Sequence, residues 1–210
     1  MTHAFTVVTG VAAPLAQPNI DTDAILPARF LKRMDIAGLG DVLFHEWRFD
    51  GNGAERPGFV LNQPAYREAA VIVAGANFGC GSSRENAVWA LYEYGIRCVI
   101  APSFGDIFFN NCLNYGLLPV VLPAQRIESL LRAITTQPGA AITVDLEACT
   151  VRGPDGQDDA FAIGDHARHR LLKGLDDISL TLEHETEISA YEARRKRDRP
   201  WLFADLGAAG

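Results

Sequence analysis

The residues best suited to chemistry fall in one short window, residues 75–86, which reads GANFGCGSSREN. Three glycines within seven positions follow an apolar run, and Ser82, Ser83, Arg84 and Glu85 come directly after them. Glycines let a backbone approach a ligand closely, and the helix predicted to start after them offers free N–H groups and a partial positive charge. An anion is the ligand such a turn suits. The window contains neither G-x-x-x-x-G-K-[ST] nor G-x-G-x-x-G, so a small carboxylate is favoured over a nucleotide phosphate. Ser82 admits two readings: with Glu85 it forms an S-x-x-E capping box, or its hydroxyl is a reactive group. Arg84 is harder to explain locally. A guanidinium in the first turn opposes the helix dipole and needs an anionic ligand or carboxylate beside it.

Two further windows carry polar groups at suggestive spacing. In residues 19–30, NIDTDAILPARF, Asp21, Thr22 and Asp23 precede an apolar turn and a proline; they are either a turn or helix-cap cluster or a means of orienting a partner group. In residues 103–114, Asp106, Asn110, Asn111 and Asn114 recur at helical spacing, which gives an unusually polar face suited to an interface or a helix-packing network.

The elements that must position these groups are visible in the hydrophobic pattern. From residue 70 to 123, short apolar runs (AVIVAG, RCVIAPS, LLPVVL) alternate with stretches of period near 3.6, the signature of buried parallel strands joined by helices, β-α-β-α-β. Gly95 and Gly116 stand where two of these helices must stop. Residues 122–138 predict another helix ended by Gly139. Residues 140–163 alternate apolar and polar around turn signals, predicting two or three antiparallel strands. A short helix over 164–173 and a charged C-terminal helix over about 183–197 complete the chain, whose basic run 194–199 reads as a solvated helix end. Residues 50–64, rich in Gly, Pro and Asn, are a predicted loop between unlike halves.

Composition narrows the functions. With 210 residues, 48% of them hydrophobic, the chain has enough apolar mass for a full core. Its longest apolar stretches are far short of the roughly 18–20 residues that a bilayer helix needs, so no membrane role is expected. A net charge of −7 argues against nucleic-acid binding, which needs a basic face. The start, MTHAFTVVTG, has no basic leader or apolar stretch marking export, and a cytoplasmic setting is the expectation. Cys80, Cys98, Cys112 and Cys149 contain no C-x-x-C pair and match no local zinc or iron–sulfur pattern; reduced thiols, mostly in the core, are expected, and no metal site in this chain.

Three separated motifs, NIDTDAILP at 19–27, GSSRENA at 81–87 and RCVIAPSFGDIFFNNCLNYGLLP at 97–119, together resemble the swivel domain of the aconitase superfamily. The run FLKRMDIAGLGDVLFHEWRFD and the tail ISAYEARR with its later PW are similar, within it, to the bacterial small subunits of 3-isopropylmalate dehydratase (isopropylmalate isomerase). The resemblance runs through residues 1–202 in order. It implies an α/β fold, the aconitase-type swivelling β/β/α domain, in which a β-α-β-α-β parallel core is joined by additional antiparallel strands and a C-terminal helix. One swivel domain over 1–202 and a tail over 203–210 are expected.

The resemblance also implies roles. Ser82, deprotonated, takes a proton from a substrate carbon; Arg84 grips a substrate carboxylate; Ser83 donates a hydrogen bond to the substrate; and Asp23 orients the site. The [4Fe–4S] cluster of the family is expected on a separate large subunit of 3-isopropylmalate dehydratase, with no cofactor in this chain. Aconitase itself carries an arginine for citrate's extra carboxylate where this sequence has ARFLKRMDI, so Phe30, Leu31 and Met34 are the expected apolar wall for an isopropyl group, on a mobile loop over residues 28–40, the alternative being that these apolar residues simply anchor a helix. Expected substrates are 2- and 3-isopropylmalate. A small subunit for a related hydroxy acid (dimethylmalate, methylmalate or homoaconitate) and a noncatalytic carboxylate-binding domain are the alternatives.

Overall fold

A computed structural model describes residues 4–31 and 37–203. Its frame is a sheet of seven strands in the order β4-β3-β2-β1-β5-β6-β7. The strands are β1 (Val7–Leu15), β2 (Val71–Ala74), β3 (Cys98–Ala101), β4 (Leu118–Val121), β5 (Ala141–Asp145), β6 (Thr150–Arg152) and β7 (Asp158–Ala160). Strands β1 to β4 are parallel, and β1, β5, β6 and β7 form an antiparallel meander.

β1 joins the two halves. Its first five residues pair antiparallel with β5 from Val7↔Asp145 to Val11↔Ala141, and its last four pair parallel with β2 from Ala12↔Val71 to Leu15↔Ala74. Sequence periodicity does not reveal this strand, because Gly10 and Pro14 break its alternation and its burial changes along its length. Pro119, by contrast, is where a strand tolerates proline: β4 is an edge.

The helices between the parallel strands are α1 (Thr22–Ile25), α2 (His45–Arg48), α3 (Glu85–Tyr94) and α4 (Asp106–Tyr115). Successive strand residues point to opposite faces, and the core divides accordingly. Ala13, Leu15, Ile72, Ala74, Val99 and Ala101 pack with Ile25, Val88, Leu91 and Phe108 of the helices. Ala12, Val71, Val73, Cys98, Ile100 and Val120 face the other way, onto Ile127, Leu130 and Ile134 of α5 (Ala124–Thr136). Each of those three α5 side chains contributes roughly 1.5–3 kcal/mol by burial.

The β-α-β-α-β reading holds, and α3 and α4 both stop at glycines with positive φ, Gly95 at 118° and Gly116 at 91°. All three candidate antiparallel strands form. The short helix is α6 (Asp165–Lys173) and the predicted C-terminal helix is α8 (Glu185–Asp198); a further short helix that the sequence reading does not anticipate, α7 (Asp177–Leu182), lies between them. The capping-box reading of Ser82 fails. Helix α3 begins only at Glu85, with Arg84 as its extended cap residue at φ −133°, so Ser82 lies two positions too early to cap it. Arg84, as the cap residue rather than a first-turn residue, still stands at the positive end of α3, where a guanidinium needs a carboxylate beside it.

Candidate active site

The loops leaving the carboxyl ends of β1, β2 and β3 converge, the usual place for a ligand in a parallel sheet. Backbone bonds knit them together: Gly79 N–H donates to the Ile20 carbonyl (2.7 Å), Thr22 N–H to Cys80 (2.9 Å), and Phe78 N–H to Ser103 (3.1 Å). The glycines allow this proximity. A Cβ on Gly79, whose φ is +72°, would stand 2.2 Å from the Phe108 ring, and one on Gly75 would stand 2.6 Å from two carbonyl oxygens of the β1 loop. Asn19 and Asn77 add a signal that sequence reading overlooked. Both have positive φ, 57° and 60°, which asparagine tolerates, and their side chains meet at 2.8 Å across the two loops.

Upon this base stand the candidate site residues. Ser82 and Ser83 are exposed, and neither hydroxyl makes a hydrogen bond with the described residues. The loop is instead held through its backbone: buried Thr22 donates its hydroxyl proton to the Ser82 carbonyl at 2.8 Å. Asp23 and Arg84, 61 positions apart, form an ion pair, and Arg84 Nη1 also donates to the Leu26 carbonyl at 3.1 Å. Asp23 accepts a further bond from Ala28 N–H at 2.9 Å. The Arg84 hydrogen bond holds the Asp23 carboxyl below the usual carboxylate range. Arg84 is only 16% exposed at its side chain, so its guanidinium is pre-set in one place with a carboxylate already against it. Asp21 caps α1, accepting from Ala24 N–H at 2.7 Å.

The remaining predicted groups separate. Phe30 and Leu31 pack half-buried on the helical side of the core. Met34 lies outside the described residues. Asn114 belongs to a helix-packing contact, accepting from Arg170 of α6 at 2.8 Å, while the side chains of Asp106, Asn110 and Asn111 make no hydrogen bond with the described residues.

This chain's donor set does not fit an iron–sulfur cluster. Cys98 and Cys112 are fully buried, and burial pushes both thiols up, away from the thiolate that iron needs. Cys80 and Cys149 stand in different loops, and the described residues contain no grouping of three metal-binding side chains.

Comparison with known proteins agrees with this architecture. Residues 2–125 match the family model described as aconitase C-terminal domain, residues 128–165 that described as LeuD_N, and residues 177–205 that of the C-terminal domain of the 3-isopropylmalate dehydratase small subunit. The 3-isopropylmalate dehydratase small subunit of Rhodospirillum centenum is 57% identical over 199 residues, covering 95% of this chain and 98% of that one. That of Paramagnetospirillum magneticum is 54% identical over 198 residues, covering 94% and 98%. Among solved structures, 3-isopropylmalate dehydratase from Methanocaldococcus jannaschii superposes with a TM-score of 0.64 at 29% identity, covering 88% of this chain and 99% of that one. Motifs, sheet order and full-length identity converge: the chain belongs to the family of 3-isopropylmalate dehydratase small subunits, within the aconitase superfamily.

Proposed function

We propose that this chain, joined to a large subunit of 3-isopropylmalate dehydratase, interconverts 2-isopropylmalate and 3-isopropylmalate by dehydration and rehydration, a hydro-lyase activity of leucine biosynthesis. The observation that carries the reading is the juxtaposition of the exposed Ser82–Ser83 pair with an arginine already clasped by a carboxylate, on a glycine turn at the carboxyl ends of parallel strands.

Each residue has a role that follows from its chemistry. Arg84 takes a substrate carboxylate through two N–H donors along one edge of its planar guanidinium, exchanging or sharing its Asp23 partner; Lys cannot make that bidentate contact. Ser83 donates a hydrogen bond to the bound acid. Ser82 Oγ, as the alkoxide, takes the proton from the carbon next to the hydroxyl-bearing one and returns it on rehydration. A serine hydroxyl is a very weak acid, so this role requires water to be excluded and positive charge nearby. Arg84 supplies the charge. Exclusion of water is assigned to the large subunit, because Ser82 is open to solvent in this chain. The [4Fe–4S] cluster, which would act as the Lewis acid that takes the departing hydroxyl, is likewise assigned to the large subunit. The apolar wall for the isopropyl group is assigned to the segment of Phe30, Leu31 and Met34, where Phe30 and Leu31 keep a partly exposed surface beyond their contacts with the core.

The test is anaerobic reconstitution with a large subunit, following the absorbance of the alkene formed from 3-isopropylmalate. Turnover is expected from the mixture and from neither chain alone. A mixture that forms a stable complex yet leaves 3-isopropylmalate unreacted, while dehydrating another hydroxy acid, would transfer the assignment to that acid.

A further inference from the structure

We infer that the C-terminal arm, made of α7, α8 and the single helical turn Pro200–Phe203, is the docking surface for the large subunit, whose matching surface is an apolar groove with an acidic rim. The inference rests on the proposed function, which requires a separate large subunit, and adds the place where that subunit is gripped.

The arm is rooted in the body and then leaves it. Arg170 of α6, its side chain only 11% exposed, donates to Asn114 of α4 and to the Leu175 carbonyl (3.2 Å) and pairs with Asp177 at 2.9 Å. His169 meets Glu183 at 3.0 Å, and Asp176 caps α7 by accepting from Ser179 N–H at 2.8 Å. Beyond this root the arm bonds to itself. Among the described residues, 185–203 form hydrogen bonds and ion pairs only with one another and with His184, as where Arg195 donates to the Tyr191 hydroxyl at 2.6 Å.

No residue of α7, α8 or the final turn is buried. Ile178, Leu182, Tyr191, Trp201, Leu202 and Phe203 are each 46–73% exposed, and they are six of the nine large apolar side chains exposed among the described residues. Apolar groups scattered singly over a surface need no explanation, whereas this concentration on one short arm does. Ile178 and Leu182, four apart, share a face of α7. A helix of 14 residues such as α8 is marginal in water unless packing holds one of its faces, and α8 buries no residue against the body. A second molecule is what would hold it.

Which molecule follows from what the arm carries and where it belongs. Tyrosine, tryptophan and arginine are the side chains that most often anchor protein interfaces, and here Tyr191 and Trp201 flank the basic run 194–199, RRKRDR. In a chain of net charge −7, that run calls for an acidic rim on the partner. The residues of the candidate site lie within 2–125, the part that matches the aconitase domain model, whereas the arm is the part matched, over 177–205, by the model of the small subunit's own C-terminal domain. The arm is thus a feature of chains that must find their large subunit as a separate molecule. The loop of the site offers a poor grip by comparison, since its exposed residues Gly81, Ser82 and Ser83 carry almost no apolar surface.

The experiment measures, under anaerobic conditions, the dissociation constant between the full-length chain and a large subunit of 3-isopropylmalate dehydratase, together with kcat when the small subunit is saturating. Two double variants are compared with wild type, Ile178→Ala with Leu182→Ala in α7, and Trp201→Ala with Leu202→Ala in the final turn. All four side chains are exposed and alanine favours helix, so both variants will fold. Each should weaken binding by about tenfold or more, with kcat at saturation and KM for 3-isopropylmalate within about twofold of wild type. Binding should also weaken as salt is raised, as an acidic rim requires. The amides of α8 should exchange fast in the free chain and slow down in the complex. Dissociation constants within about twofold of wild type for both variants, or α8 amides as fast in the complex as in the free chain, would overturn the inference. So would variants that lose self-association while binding the large subunit normally, since the arm would then join two copies of this chain. A wild-type chain that binds the large subunit yet leaves 3-isopropylmalate unreacted would remove the functional reading alone, and the same comparison of dissociation constants would still decide the arm.

Discussion

Arg84 is where two kinds of explanation meet, because its ion pair with Asp23 orders the loop and, in the proposed reaction, is exchanged for or shared with a substrate carboxylate. Arg84→Lys keeps the charge and loses the fork, so KM in the reconstituted enzyme should rise about 10- to 100-fold, with a smaller loss in kcat. Asp23→Asn should also raise KM, by less, since it frees the guanidinium from its set orientation and loosens Ala28. The pair has a pH signature. Asp23 is held below its ordinary value of 3.8, so its contribution to stability is fully present above that value and is lost as pH falls through the depressed one. Urea unfolding of wild type and Asp23→Asn between pH 3 and 7 should therefore differ at neutral pH and converge in acid. Equal stabilities throughout would reduce the pair to a surface contact. Of these groups, Arg84 is recognisable from sequence as needing a carboxylate, whereas which one, 61 positions away, depends on the sheet.

At the scale of elements, close approach and edge protection carry the consequences. The Gly79 turn leaves no room above Phe108, and its φ of +72° is one that alanine adopts only at a cost, so Gly79→Ala should destabilise the chain by about 2–4 kcal/mol in chemical denaturation. Strand β7 is an edge made of Asp158, Asp159 and Ala160, a sequence with little strand preference. It is held by Arg126 of α5, which pairs with Asp155 and Asp159 while its own side chain is only 9% exposed. Arg126→Ala leaves those carboxylates facing each other and should cost about 2–3 kcal/mol, with amide exchange of β7 accelerating first. The elements legible in the sequence are those with one consistent environment. The strands β2 and β3 are buried on every residue, and helices α3 and α4 end at glycines. β1 is not legible, because a single strand serves two partners of opposite direction. The start of α3 departs from the sequence expectation because S-x-x-E fits a cap locally, while the Thr22 hydroxyl and the Asp21 to Cys80 bridge draw Ser82 out of the helix.

For the whole molecule, the parallel half presents the glycine turn at its carboxyl edge, and the meander and α5 close the opposite face of the sheet. What stays open to solvent at that edge is the loop bearing Ser82, whose covering is assigned to the large subunit. The most direct test is Ser82→Ala in the reconstituted complex, comparing 3-isopropylmalate binding by titration with alkene formation by absorbance. Loss of a general base predicts turnover reduced by about 10²–10⁴ with the dissociation constant within about threefold of wild type. Turnover within a few-fold of wild type would contradict a base at this position and leave Ser82 as a backbone anchor for Thr22.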